Sequence, residues 1–233
     1  MLCLDSYIYE SRILLMLYNI SDLFASVSQQ VQNKLLKADS CHDFDHTLRV
    51  LANAENLLRS IPQADADTVR LAVLLHDVCR PEENESCGKL CHAVLGAKFA
   101  SELLSSYGLS EAEYSPIVNA IATHRFRDGN HPGTIEAKIV YDADKLDSLG
   151  AVGIGRAFLF AGHSGARLHN TSEEALSGSA YSKEDTAYRE YLVKLHKLPA
   201  AMLTEPGRNL AVERAAFMET FFKQLNLETN LNL

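Results

Sequence analysis

Apolar positions in this chain recur every three or four residues along most of its length, and no run alternates apolar with polar. That spacing belongs to helices with one buried face, whereas alternation belongs to half-buried strands. Leu48, Leu51, Ala52 and Leu58 follow Asp43, which reads as an N-cap with Asp45 in the first turn behind it. Asp67 is placed to cap the next helix, whose apolar run Leu71-Ala72-Val73-Leu74-Leu75 ends near Cys79, with Pro81 as a stop. Val94, Leu95, Phe99, Leu103 and Tyr107 predict a helix over 90–107, closed by Gly108. Ser115 followed by Pro116 predicts an N-cap with proline at the first helical position, opening a helix through Ile117, Ile121 and His124. Residues 127–133 read as a loop, and Thr134 as the cap of a helix running towards Leu149. Gly150, Gly153 and Gly155 predict a place where helices pack closely. The stretch 163–182 is rich in Ser, Gly, His and Asn and reads as a long loop, and helices near 183–197 and 206–226 close the chain. The prediction is an all-α fold: an amphipathic helix or extension over 1–24, one domain over 25–226, and a tail over 227–233.

Composition adds limits to this picture. The chain has 233 residues, 47% hydrophobic and 22% charged, enough to bury one sizeable core. Its net charge of −8 excludes non-specific nucleic-acid binding as an expectation, so an anionic substrate would need a local positive centre such as a bound metal. Five cysteines, an odd number at low density, fit a reduced, cytoplasmic setting. No run approaches the ~18–20 apolar residues of a membrane span, and Asp5 and Glu10 do not suit a signal peptide.

The candidate chemistry gathers at helix ends. His76-Asp77 closes the greasy run 71–75, and two good metal ligands there would be costly to bury without a bound partner. His46 falls one turn inside the first capped helix, His92 begins the third, His124 nears the end of the fourth, and Asp144 comes late in the fifth, with Asp142 as its rival. Five packed helices could aim these residues at one centre, as bundle cores do when they build metal sites. A structural zinc site from Cys87, Cys91 and His92, with Cys41 and His42, is a competing reading, although the short Cys-x2-Cys knuckle is missing.

Four segments carry a resemblance. His42-Asp43-Phe44-Asp45-His46-Thr47-Leu48-Arg49-Val50, Leu74-Leu75-His76-Asp77-Val78-Cys79-Arg80, Ala122-Thr123-His124-Arg125-Phe126 and the stretch from Ala137 to Gly150 together resemble the HD-domain metal-dependent phosphohydrolase superfamily. More narrowly, they resemble its YedJ-like bacterial branch, and the likeness runs from about residue 28 to 226. The resemblance implies a single HD-domain helical bundle, its metal-binding core over about 40–150, with the C-terminal helices packed on it. It implies that His46, His76, Asp77 and Asp144 are ligands and that His92 and His124 match the added histidines of branches holding two metals. The string Ala143-Asp144-Lys145-Leu146 favours Asp144 over Asp142.

The implied activity is hydrolysis of a phosphoester in a small phosphorylated substrate, with a nucleotide as the expected class, by metal-activated water, with Asp77 able to bridge two ions. Mixed His and carboxylate ligation favours Mn, Fe, Co, Ni or Zn over Mg, with one or two divalent ions bound. Arg49, Arg80, Arg125 and Lys145 are the candidate cations for the phosphate, and Asp43, Asp45 and Asp147 are candidates to orient a ligand histidine from behind. Two other readings share these residues: an HD-domain di-iron oxygenase, and a metal-binding module without catalysis. The expected assembly is a monomer or homodimer with no membrane association.

Overall fold

Helix α3 (Ala66–Leu75) is buried along nearly its whole length, and the rest of the fold follows from covering it. A helix apolar all round needs neighbours on every side. In the computed structural model these are α2 (Phe44–Ser60), α6 (Glu111–Thr123) and α7 (Ile135–Leu146), with α5 (His92–Ser106) packed on α6. The structure describes residues 22–36, 38, 42–86, 89–125 and 129–229, and no strand occurs among them. The described part of α1 covers 22–35 and buries Val27, Val31 and Leu35. The short α4 (Arg80–Glu85) follows α3. Beyond α7 come α8 (Gly150–His163), α9 (Ser172–Ser177), α10 (Ala187–Val193), a 3-10 turn at Leu195–Lys197, α11 (Leu198–Ala201) and the long α12 (Glu205–Thr229). The last of these packs on α8, α7 and α2, so the C-terminal helices lie against the bundle.

Local chemistry explains where helices begin. Asp43 caps α2 by accepting from the backbone N–H of His46, as expected. Asp65, rather than Asp67, caps α3: its carboxylate accepts from the N–H of Asp67 and the hydroxyl of Thr68, which leaves Asp67 in the first turn. Pro81 starts a helix instead of stopping one, because at the second position of α4 its missing N–H has no intrahelical partner to lose. Helix α6 begins at Glu111, four residues before Ser115, with Ser110 as its cap. A capping box between Ser110 and Glu113 satisfies two free N–H groups there, and this outweighs Pro116, which is carried inside the helix.

The stretch 163–182 is only partly a loop, since Thr171 and Glu174 form a second capping box that nucleates α9. Gly153 does mark a close approach, for a Cβ there would meet the carbonyl oxygen of Ser148 at 2.2 Å, whereas Gly155 has open space around it. Helix α12 runs to Thr229, past the expected start of the tail at 227. The expected helix over 1–24 falls largely outside the described residues, as do Cys41 and Cys87 of the competing zinc reading.

Candidate metal centre

Helix geometry places the site. The last turn of α3 ends on His76 as its C-cap, so the ring leaves the apolar run where backbone carbonyls are free. His76 Nδ1 donates to the carbonyl of Val73, three residues back, at 2.7 Å. His124, the C-cap of α6, repeats this with the carbonyl of Ile121 at 2.7 Å. His46 Nδ1 donates to Asp147 Oδ2 at 2.8 Å, and His92 Nδ1 to Glu83 Oε2 at 2.5 Å. With each Nδ1 turned to an acceptor on the outer side, all four Nε2 atoms face the same interior region.

There the four rings meet two carboxylates. His46, His76 and Asp144 form one group, and Asp77, His92 and His124 another; within each, the candidate ligand atoms lie no more than 4.8 Å apart. Asp77 joins the groups. Its Oδ2 lies 3.6 Å from His46 Nε2 and 3.8 Å from His76 Nε2, and its Oδ1 lies 3.1 Å from His92 Nε2 and 3.6 Å from His124 Nε2. Asp144 Oδ1 completes the first group at 3.6 Å from His46 and 4.0 Å from His76. Four of these six side chains come from different helices, α2, α5, α6 and α7, and His76-Asp77 from the turn after α3.

The donor set fits a pair of cations on three counts. Asp77 Oδ1 is buried and makes no hydrogen bond, which is costly for a charged oxygen. Ring Nε2 atoms face one another at 3.3 Å between His46 and His76 and at 3.1 Å between His92 and His124, pairs that a proton or a metal ion between them holds together. The electrostatics agree. Burial pulls His46 down, but the carboxylates of Asp147 and Asp77 outweigh it and raise this ring from 6.5 to about 9, so without metal a proton stands in for the ion. His76, buried and beside other rings, falls to about 4 despite Asp77. Burial would raise Asp77 and Asp144, yet Arg80 and His76 hold the first well below the usual carboxylate range, and Lys145 with His76 and His46 the second.

The other expected residues fall into place around this core. Asp147 takes His46, Arg49 Nε at 2.8 Å and Arg156 at 2.9 Å, so it stands behind the Nδ1 of the His46 ring. Asp43 acts through the backbone of His46 as a cap, and Asp45 is exposed on the first turn of α2. Asp142 is buried away from the centre, accepting from the N–H groups of Leu203 and Thr204 and the Thr204 hydroxyl, which separates it from Asp144. Cys91 is half-buried at the N-cap of α5, with Arg125 Nη1 3.8 Å from its sulfur, and His92 next to it turns to Asp77 and Glu83. Glu83 escaped the sequence reading altogether: nothing in the string Pro81-Glu82-Glu83 separates a buried carboxylate from its exposed-looking neighbour.

A cleft of about 490 Å3 adjoins the centre. Arg80, Arg125 and Lys145 line it, and these same side chains contact Asp77, Glu83 and Asp144 respectively. Arg49, bound to Asp147, is not among the lining residues. Arg156, Arg189 and Lys194 are, and they had no signal in the sequence because α8 and α10 reach the cleft only through tertiary packing. Phe160 and Tyr181 make an aromatic wall with ring centroids 6.0 Å apart. Tyr181 is 78% exposed and sits at φ 58°, a left-handed backbone that a bulky residue holds only under constraint. Its N–H is taken by Asp185, which Arg189 in turn holds.

Comparison with known proteins follows the same outline. The HD domain family model matches residues 43–149, the span from the α2 cap to the cap of α8. The chain is 33% identical over 199 residues to the uncharacterized protein YpgQ of Bacillus subtilis, covering 84% of this chain and 88% of that one. The crystal structure of B. subtilis YpgQ in complex with ADP superposes with a TM-score of 0.69 at 28% identity, over 90% of this chain and 96% of that chain. An HD-superfamily hydrolase of Bacillus thuringiensis gives 0.69 at 28% identity, over 91% and 98%. Among the described residues, no helix is long and apolar enough to cross a membrane.

Proposed function

Because this chain belongs to the HD-domain superfamily of hydrolases, we propose that it is a metal-dependent phosphohydrolase acting on a small phosphorylated substrate, with nucleotides as the class. The observation that carries this reading is Asp77, one buried carboxylate facing two histidine groups with an oxygen left unbonded. His46, His76, Asp144 and Asp77 hold one divalent ion, and Asp77, His92 and His124 hold the second. Imidazole and carboxylate donors in this ratio suit Mn, Fe, Co, Ni or Zn better than Mg. Bound ions of this kind polarise a phosphoryl group and lower the pKa of a water towards ~7.

The protein's own part is placement. Arg80, Arg125, Lys145 and Arg156 set positive charge along the cleft, where it would face a phosphate chain. The wall of Phe160 and Tyr181 offers flat surface to a planar ring. A nucleotide satisfies both demands, and the related YpgQ was crystallised with ADP.

The test is phosphate release from a panel of nucleotides and phosphomonoesters by protein stripped of metal and reloaded with Mn, Co, Ni or Mg. Release that requires metal and disappears in Asp77→Ala supports the reading. A folded, loaded protein that releases no phosphate from any member, but consumes oxygen when charged with iron, replaces it with the oxygenase. Metal and nucleotide binding without turnover of either kind replaces it with the non-catalytic module.

A further inference from the structure

The two halves of the centre are built to one plan. In each, one histidine is held by a backbone carbonyl three residues earlier: His76 by Val73, His124 by Ile121. In each, the other histidine is held by a buried carboxylate that is itself clasped by two arginines. For His46 that carboxylate is Asp147, between Arg49 and Arg156. For His92 it is Glu83, 5% exposed, with Arg80 on Oε2 at 2.7 Å and Arg125 on Oε1.

Resting on the two-metal reading above, we propose that Glu83 is the positioning residue of the His92 half, the counterpart of Asp147 in the His46 half. Both Glu83 oxygens are engaged, so the carboxylate has one orientation; it accepts the His92 Nδ1 proton at 2.5 Å, the shortest contact of a nitrogen that Arg80 Nη1 and Arg125 Nη1 also approach, at 3.1 and 3.4 Å. That fixes the tautomer with Nε2 unprotonated and aims it at Asp77 Oδ1, 3.1 Å away. A negative partner behind the ring also makes Nε2 a stronger donor to a cation. Without Glu83 the half would consist of two neutral rings and a shared carboxylate, and His92, at the first position of α5 with no side-chain cap before it, would lose the contact that sets its rotation.

The experiment is cobalt(II) binding to the stripped full-length protein by equilibrium dialysis, with the visible spectrum followed for each ion taken up. Native protein is expected to bind two ions in separable steps. Glu83→Gln should keep the first step and weaken the second by about 10–100-fold, with the second step's spectral band shifted. Asp147→Asn should weaken the step that Glu83→Gln spares. A general loss of structure would move both steps together, which the split rules out. Two strong steps in Glu83→Gln, unchanged from native, overturn the role given to Glu83 and leave the metal reading standing, while no binding by native protein removes both. Nitrogen-15 spectra of the native histidines need no variant: His92 protonated on Nδ1 in the loaded protein supports the assignment, and protonation on Nε2 overturns it.

Discussion

A single oxygen pair sets the behaviour of the centre at the residue scale. Asp77 serves both groups, so its replacement differs in kind from that of any other ligand. Asp77→Asn is expected to reduce uptake of both ions, whereas His124→Ala should reduce one, and metal content of the purified variants by elemental analysis separates the two. The same logic applies to protons. His46 is raised from 6.5 to about 9 by Asp147 and Asp77 against the pull of burial, so at pH 7 the metal-free ring is charged and an incoming ion must displace its proton. Calorimetric heats of metal binding at pH 7 should therefore vary with the ionisation enthalpy of the buffer, showing close to one proton released from this ring.

His46, His76-Asp77, His92, His124 and Asp144 could be gathered as candidates because each stands near a helix end or first turn, whereas the choice of Asp144 over Asp142 came from the family resemblance of the string Ala143-Asp144-Lys145-Leu146. Glu83 could not be picked, because its burial depends on Arg125 arriving from α6, 42 residues away.

At the scale of elements, the resolution of Asp142 and Asp144 is instructive. Two residues apart on α7, they point to opposite tasks: Asp144 to the centre, Asp142 to the turn that starts α12. Asp142→Ala would leave the N–H groups of Leu203 and Thr204 and the Thr204 hydroxyl without their acceptor, at a cost of about 1–3 kcal/mol. Its midpoint in urea should fall while its metal content stays native. Gly207→Ala probes the same joint from the other side. A Cβ there would come within 2.3 Å of Asp142 Oδ2 and 2.8 Å of the Thr204 hydroxyl oxygen, and overpacking of this kind costs about 1–3 kcal/mol. Helix starts were the least legible elements, and the reason is physical. Asp65 against Asp67, and Ser110 against Ser115, are choices among chemically similar caps, decided by which one leaves more N–H groups satisfied. The long α12 was legible as an element, but its attachment through Asp142 was not, since the two lie more than sixty residues apart.

For the whole molecule, stability should depend on pH from both sides when metal is absent. The raised His46 contributes stability that is complete below its unfolded value near 6.5 and is lost as pH climbs through about 9. Glu83, Asp77 and Asp144 are lowered, so their contribution is present above the ordinary carboxylate range and is lost as pH falls, for Glu83 through about 2. His76, lowered to about 4, adds to the acid loss because the unfolded ring takes up a proton that the folded one refuses between 6.5 and 4. Melting temperatures of the stripped protein should peak between these limits. Added Mn or Co should raise them in the neutral range, since the ion binds the folded form and competes there with the His46 proton.

The centre also has a topological meaning. Its donors are strung along the chain so that contacts within it close loops of 30 residues between His46 and His76 and 32 between His92 and His124. An ion held there is a reversible cross-link, and cross-links restrict the unfolded ensemble more as the loops they close grow longer. The cross-link spans residues 46–144 and leaves 205–229 outside it. Chelation should therefore speed amide exchange in α2, α3, α5, α6 and α7 together and leave exchange in the outer turns of α12 much as it was, dividing one bundle into a part clamped by metal and a part held by packing alone.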